Sequence, residues 1–115
     1  MATIVPTVAR LSDHHLRVTW ASMANGDVGE SIASLYGHPD RSVQVKGTFG
    51  VGGTATIQGS NDAGVTFATL TDPQGTSLAV TSAGIKAVTE FVEHIRPSVA
   101  GDGTTSLTVV LIAKG

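Results

Sequence analysis

The sequence predicts an all-β fold, a single-domain β-sandwich of jelly-roll type, from three observations. Apolar and polar residues alternate with a period of two in several short stretches. Turn sequences rich in Gly, Asp and Asn separate these stretches, which predicts seven or eight strands. The chain of 115 residues suits one domain and is too short for two ordinary ones.

The first ten residues differ from the rest, and we interpret residues 1–10 as an extended N-terminal arm and residues 11–115 as the sandwich. A proline at position 6 excludes a helix interior and a central strand. Left free in water, the arm would expose apolar side chains. We therefore expect it to dock on a neighbouring copy or on a larger assembly. The expected interface residues are Ile4, Val5, Pro6 and Val8. The alternative is an edge strand folded back on its own domain.

The first convincing strand is "HHLRVTW", where Leu16, Val18 and Trp20 share one face. Residues 21–42 contain several turn signals, so we expect irregular structure there with one short strand near residues 32–36. The next stretch, "SVQVKGTF", alternates again and predicts a strand with Val43 and Val45 on its buried face.

A β-hairpin is predicted around "IQGSNDAGVTF", pairing residues 54–60 with residues 65–70. Asn61 and Asp62 tolerate left-handed backbone angles, and Gly64 accepts a positive φ without steric cost. These properties place the turn at residues 61–64.

The C-terminal third predicts further strands separated by "TDPQG" and "GDGTTS" turns. "KAVTEFVEHIRPSVAG" is ambiguous by pattern, and we favour a strand over residues 90–99 because Pro97 would break a helix. The last stretch, "SLTVVLIAK", is apolar on both faces. It predicts a central strand that is covered on both sides.

The amino-acid composition and charge limit the classes of function that the chain could have. The formal net charge is −2 with no basic run, which argues against nucleic acid as a partner. Only 14% of the residues are charged, against about a quarter in an average domain. We therefore expect part of the surface to be hidden in a homo-oligomer or another assembly. No cysteine is present, and the longest apolar run is too short to span a bilayer, so we expect no membrane partner.

Two groups of residues resemble metal sites in composition. Asp13, His14 and His15 are adjacent, but neighbouring residues on a strand point to opposite faces, so a third ligand such as His38 or His94 would be needed. Loop carboxylates of Asp102, Asp62 and Asp72 suit calcium, although aspartate is also a common turn residue. We interpret both groups as structural and predict no cofactor.

Two further groups resemble catalytic sites. Ser60, Asp62 and His94 supply the residue types of a hydrolase triad, but no nucleophile elbow surrounds the serine. Glu90 and Glu93 have the form of an acid–base pair, which is more often a solvated face. The Gly-rich "GTFGVGG" matches neither a dinucleotide fingerprint nor a P-loop. We therefore predict that the protein is not an enzyme.

The segments "IQGSNDAGVTFATLTDPQGTSLAVT" and "IRPSVAGDGTTSLTVVLIA" together resemble small virion proteins of tailed bacteriophages, over residues 43–113. That resemblance implies a capsid decoration or cement protein. Such a protein is made in the host cytoplasm, binds the major capsid protein on the outer capsid surface of the virion, and stabilises the head. A tail or baseplate β-module of a phage is the alternative within the same class.

The segments "GSNDAGVTFATL" and "HIRPSV" also resemble discoidin-like, galactose-binding jelly rolls. That resemblance implies the same fold and a carbohydrate-binding module as a further alternative. Those domains usually have a tryptophan where this chain has Phe67. Only 4% of the residues are aromatic, which argues against a sugar site built on stacking.

Overall fold

A computed structural model describes residues 2–33, 38, 40–88, 90 and 92–115 of the chain. These residues form eleven β-strands and no helix. In chain order, β1 to β11 are Thr3–Ile4, Thr7–Ser12, His15–Met23, Val28–Gly29, Asp40–Thr48, Thr54–Ser60, Ala68–Thr69, Ala79–Val80, Gly84–Val88, His94–Ala100 and Ser106–Lys114. The count exceeds the predicted seven or eight because four of the strands have only two residues.

The strands form two sheets that pack as a sandwich. Sheet I has the order β1-β4-β10-β6-β7, with β8 pairing the same strand β6. Sheet II has the order β2-β3-β11-β5-β9. All the pairings are antiparallel except the short parallel pair of β1 and β4.

The pairing pattern is that of a jelly roll. Starting from β3, the first strand pairs with the last, β11, and the following pairs are β4 with β10, β5 with β9, and β6 with β8. Such nested pairing is a long antiparallel ribbon that has been wrapped into two sheets. The sequence prediction of a jelly-roll β-sandwich is therefore confirmed.

The core lies between the sheets and follows from the period of two. Alternate residues of β3, β5 and β11 point inward, except that the register of β3 shifts between Trp20 and Met23. The buried residues of β6 and β10 meet them from sheet I. Trp20 is the largest buried side chain, and its indole N–H donates to the carbonyl of Glu30 at 2.9 Å. A buried indole is stable only with such a partner.

The final strand is central, as predicted, but only one of its faces is covered. Leu107, Val109 and Leu111 are fully buried between the sheets. Val110 and Ile112 on the other face are half-buried, because adjacent side chains of sheet II shield them while no second layer lies above them among the described residues. The prediction of cover on both faces was therefore wrong for the outer face.

Three other predicted boundaries shift. The hairpin forms, but β6 pairs with the following strand only through Gln58 with Thr69 and Gly59 with Ala68. The strand predicted over residues 90–99 begins later, as β10. The irregular region contains β4, and Ile32 forms an isolated bridge to β10. Ala33 is not in a strand, and residues 34–36 of the short strand expected near residues 32–36 lie outside the described residues.

The wrapped ribbon gathers its loops at two ends of the sandwich. One end carries the loops that follow β3, β5 and β10, where Gly101 N–H donates to Asn25 Oδ1 and Val51 N–H donates to Asp102 Oδ2. The opposite end carries residues 61–78, 90 and 92–93, where Glu93 N–H donates to Asn61 Oδ1. We call these the Asp102 end and the Asp62 end.

Candidate interaction surface

The N-terminal residues form one edge of the sandwich. β1 is the edge strand of sheet I, β2 is the edge strand of sheet II, and Pro6 lies between them where the chain changes sheets. Within the part of the chain that the structure describes, β1 pairs only with β4 and β2 pairs only with β3. An edge strand leaves a row of backbone N–H and C=O groups without sheet partners, and this is a common place for another chain to bind.

Local hydrogen bonds fix this edge to its own domain. Ala2 N–H donates to Asp27 Oδ1 at 3.1 Å, and the carbonyl of Ala2 accepts from Val28 N–H at 2.9 Å. The carbonyl of Ile4 accepts from Glu30 N–H at 2.8 Å. Within one chain, the N-terminal segment therefore takes the alternative arrangement that the sequence left open. It forms a pair of edge strands folded back on their own domain. Docking of this segment on another molecule stays a prediction.

The four residues predicted as an interface divide into two pairs. Ile4 packs against the hydrophobic core, and Pro6 is half-buried at the change of sheets. The side chains of Val5 and Val8 are 68% and 50% exposed. Only Val5 and Val8 are thus placed to contact a partner.

The structure adds Leu11, which the sequence reasoning missed. It is 45% exposed on β2, where the pairing register with β3 shifts between Arg10 and Ser12. Such a bulge disturbs the alternation and turns a side chain away from the core. The sequence could have indicated this residue, because Val5, Val8 and Leu11 are apolar and follow one another at spacings of three positions, in a segment too short for a helix. We call Val5, Val8, Leu11 and the free edges of β1 and β2 the N-terminal edge.

The loop after β6 is held together by Ser60 and Asp62. The buried Ser60 hydroxyl donates to Asp62 Oδ1 at 2.6 Å and accepts from Gly64 N–H at 3.1 Å. Asp62 Oδ1 also accepts from Thr66 N–H at 2.9 Å. These hydrogen bonds, led by that from Ser60, lower the pKa of the Asp62 carboxyl to about 2.

The left-handed residues of this loop are Ala63, with φ of 62°, and Gly64, with φ of 81°. The sequence reasoning placed Gly64 correctly but expected Asn61 and Asp62 to take such angles. Their side chains instead accept backbone hydrogen bonds, and Glu93 Oε1 accepts from Ala63 N–H at 2.8 Å. The loop is therefore closed by its own side chains.

Asp102 plays the same part at the other end. Its carboxylate accepts from Val51 N–H at 3.0 Å and from the N–H and hydroxyl of Thr104 at 2.9 and 2.7 Å. The hydrogen bond from the Thr104 hydroxyl contributes most to lowering the pKa of Asp102 to about 2. Thr105 completes the turn, because its hydroxyl donates to the carbonyl of Phe49 at 2.7 Å.

The candidate metal ligands are dispersed. Asp13 and His14 lie in the exposed turn between β2 and β3, while His94 lies in sheet I, where its Nδ1 is 3.2 Å from the hydroxyl of Ser31. Within the described ranges, no three His, Asp or Glu side chains form a group that could hold a metal ion. Asp62, Asp72 and Asp102 each accept hydrogen bonds in their own turns.

The hydrolase candidates are neighbours without the geometry of a triad. Ser60 and His94 are register partners on β6 and β10. The serine hydroxyl donates to Asp62, and the described polar contacts of the His94 ring are with Ser31 and with Glu93, at 3.9 Å. A triad needs the histidine between the other two groups.

The two glutamates predicted as a pair serve different loops. Glu90 accepts hydrogen bonds from the backbone N–H and the hydroxyl of Thr71, whereas Glu93 accepts from Ala63 N–H. Both carboxylates hold loops of the Asp62 end, and Glu90 also lines a shallow depression of about 430 Å³ there. Neither is presented to the other as an acid–base partner.

Phe67 does not present an open ring. The Arg96 guanidinium lies 3.8 Å from the ring centroid, and its Nε donates to Gln58 Oε1 at 2.9 Å. A cation over an aromatic face is a stabilising contact. It occupies a face on which a sugar would stack.

Membrane crossing by a helix finds no support, since no helix of sufficient length and apolar character occurs in the part of the chain that the structure describes.

Comparisons with known proteins give the fold. No protein-family model and no curated protein matches the sequence. The SPBc2 prophage-derived protein YomS has a similar structure, with a TM-score of 0.63 at 10% identity over 93% of this chain and 100% of that chain. A cupin domain from Bordetella pertussis Tohama I gives a TM-score of 0.51 at 17% identity over 99% and 96% of the two chains. At such identities, the likeness shows a shared β-sandwich fold.

Proposed function

We propose that this chain is a structural protein of a phage virion, and specifically a capsid decoration or cement protein. In this proposal it is made in the host cytoplasm and then binds the major capsid protein on the outer capsid surface. It forms homo-oligomers there and stabilises the head. Its work is binding, with no catalysis, no cofactor and no nucleic-acid partner.

The observation that carries the proposal is the N-terminal edge. Val5, Val8 and Leu11 expose apolar surface on and between two edge strands, which have no sheet neighbour on their outer side among the described residues. Soluble proteins usually protect such edges with charged residues, and Arg10 is the only charged residue between positions 2 and 12. An apolar, open edge is the surface expected of a module that adds itself to a lattice.

Two further observations support the proposal. The sequence resemblance to small virion proteins covers residues 43–113, and the structural likeness to a prophage-derived protein extends over 93% of this chain. The loops at both ends are closed by internal hydrogen bonds of Ser60, Asp62 and Asp102. A module with such fixed loops keeps its shape on binding, as a decoration protein must.

The amount of apolar surface on this edge indicates how strongly one copy of the protein would bind. Burying the exposed parts of three aliphatic side chains contributes about 3–4 kcal/mol. A free energy of about 4 kcal/mol corresponds to a dissociation constant of about 1 mM. One copy would thus bind weakly through these side chains alone. Many linked copies on a repeating surface would bind firmly through avidity.

The double substitution Val5→Ser and Val8→Ser tests the edge. Neither side chain belongs to the core, so we expect the variant to fold. Purified capsids lacking the protein should retain it about tenfold less than the native chain in co-sedimentation, because about 1.4 kcal/mol of contact is lost.

The matched control is Val51→Ser with Val65→Ser, which removes two exposed valines from loops elsewhere on the surface. The control should bind capsids as the native chain does. Equal capsid binding by the edge variant and the native chain would contradict the proposal. Binding of the native chain to isolated tails alone would favour the tail or baseplate alternative.

A further inference from the structure

The outer face of sheet II is a second surface, which begins at β2 beside the N-terminal edge and extends across the sheet to β9. The strand registers place its side chains in rows that cross all five strands. One row is Thr7, Thr19, Val110, Gln44 and Ile85, and the next is Ala9, Arg17, Ile112, Ser42 and Ala87. Five strands at about 4.8 Å spacing make this face about 19 Å wide.

This face carries more apolar side chains than is usual for a sheet face that is exposed to water. Val110 and Ile112 lie at its centre and are half-buried, and Ile85 at its margin is 64% exposed. A sheet with one solvated face normally alternates strictly between apolar and polar residues. The central strand β11 breaks that alternation on the side where no other layer covers it.

Cations surround the apolar centre. Arg17, Lys46 and Lys114 are exposed at outward positions of β3, β5 and β11, and Asp40 is the one carboxylate in the same outward set of strand residues. Among the described residues, none of these three cations takes part in an ion pair or a hydrogen bond. Asp40 is the register partner of Lys114, so one negative charge stands against three positive ones and the face has a net positive charge.

Acids are concentrated elsewhere, at the Asp62 end. Asp62, Asp72, Glu90 and Glu93 lie there in loops that hydrogen bonds connect to one another. Their carboxylates accept hydrogen bonds from loop backbone groups, and within 4 Å their described ion-pair contact is between Glu93 and the His94 ring, at 3.9 Å. Lys86 lines a depression together with Asp72 at the margin of this end. One chain thus carries a basic sheet face and an acidic loop end at separate places.

We propose that copies of this chain associate head to tail, with the outer face of sheet II of one copy docked on the Asp62 end of the next. Charge complementarity selects this arrangement. Two sheet faces packed against each other would bring Arg17, Lys46 and Lys114 against the same cations. The contact uses two different surfaces, so it builds rings or open chains.

The inference rests on the homo-oligomer of the proposed function and deepens it, because it names the two surfaces that join the copies. The face covers about 400 Å², roughly 19 Å by 20 Å, which is about half of what each partner contributes to a stable complex. A single contact is therefore weak. It is also sensitive to salt, because exposed charges are screened within about 8 Å at physiological ionic strength.

Sedimentation equilibrium with a salt series tests the inference. The native chain should self-associate at low salt, and the association should weaken between about 0.05 M and 0.5 M NaCl. A face variant, Arg17→Glu with Lys46→Glu, should associate at least about tenfold more weakly. The matched control is Arg10→Glu, which is compared with the single face variant Arg17→Glu because it changes the net charge equally at a position outside the outer face. It should associate like the native chain.

An end variant, Glu90→Lys with Glu93→Lys, sharpens the test. Alone, it should also fail to associate, since both of its surfaces are basic. Mixed with the face variant it should form alternating complexes, because each acidic surface then meets a basic one. Thermal unfolding verifies that each variant is folded, and the face variant with its control is decisive without the end variant.

Three outcomes would overturn the inference. The native chain could remain a monomer at low salt and high concentration, the face variant could associate as the native chain does, or the mixture of folded variants could stay monomeric. Binding of a short DNA duplex to the native face in place of self-association would assign this surface to nucleic acid instead. Capsid co-sedimentation is measured separately, so failure of this inference and failure of the proposed function are distinguishable.

Discussion

At the scale of single residues, aspartates hold the loops on which the shape of both ends depends. Asp62 and Asp102 each accept hydrogen bonds from hydroxyl and backbone donors of their own loops. The sequence predicted that these aspartates form turns, and their hydrogen bonds in the structure have that role. The donors could not be named from the sequence, because they include Val51, which is 51 positions from Asp102.

The lowered pKa values predict acid sensitivity in a defined range. Both carboxyls have pKa values of about 2 in the folded chain, against about 3.9 in an unfolded one. Their stabilising contribution is therefore present above pH of about 4 and is lost as the pH falls through about 2. Replacing both, Asp62→Asn with Asp102→Asn, should flatten the fall in unfolding free energy between these limits. Urea unfolding at several pH values measures it.

The control for that experiment is Asp13→Asn, which removes a carboxylate whose side chain accepts no described hydrogen bond. It should retain the acid sensitivity of the native chain. Parallel curves for the native chain and the double variant would show that these carboxylates do not couple folding to pH.

Gly29 provides a second prediction at this scale. A Cβ atom added there would lie 2.5 Å from Pro97 Cδ and 2.7 Å from Trp20 Cδ1. Since the core is close-packed, Gly29→Ala should lower the unfolding free energy by about 1–3 kcal/mol. Gly84→Ala is the control, because its Cβ would meet nothing within 4 Å. Equal melting temperatures for the two variants would contradict this packing.

At the scale of elements, alternation predicted which residues of each strand point inward, but it did not predict how far each strand is covered. β3 and β5 bury the faces that the sequence assigned to them. The last strand was expected to be buried on both sides, and its outer face proved to be half-exposed. The sequence pattern shows which side chains of a strand are apolar, but it does not show what covers them. A strand that contacts another molecule and a strand inside a core can have the same apolar pattern.

The two faces of β11 should respond differently to charge. Leu111→Asp would bury an unpaired carboxylate in the core and should prevent folding. Val110→Asp makes a similar change on the outer face and should leave a folded domain, with a loss of about 1 kcal/mol. Thermal unfolding of both variants measures the difference. Native-like melting of the Leu111 variant would contradict the assigned inward face.

At the scale of the whole molecule, the sequence predicted a sandwich but could not give its strand order. The nested pairs, from β3 with β11 inward to β6 with β8, join residues up to about a hundred positions apart. The local sequence pattern of a strand does not indicate which distant strand it pairs with. The same limit explains why the N-terminal segment was expected as an arm: its partners, Asp27, Val28 and Glu30, lie in the region that the sequence left irregular.

The whole molecule then presents surfaces of three kinds: an apolar N-terminal edge, a basic sheet face and an acidic loop end. Each is individually small, and none suits tight binding by one copy alone. Repetition over a lattice would add their contributions. A low proportion of charged residues, 14%, is consistent with a chain that works among many copies.

The copy number of the chain in purified virions tests the central claim most directly. Quantitative mass spectrometry of particles from the source strain measures the ratio of this chain to the major capsid protein. For a capsid decoration protein we predict a ratio of the same order as one, retained after tails are removed. Absence from the particles, or a few copies that leave with the tails, would contradict a role as a capsid decoration protein.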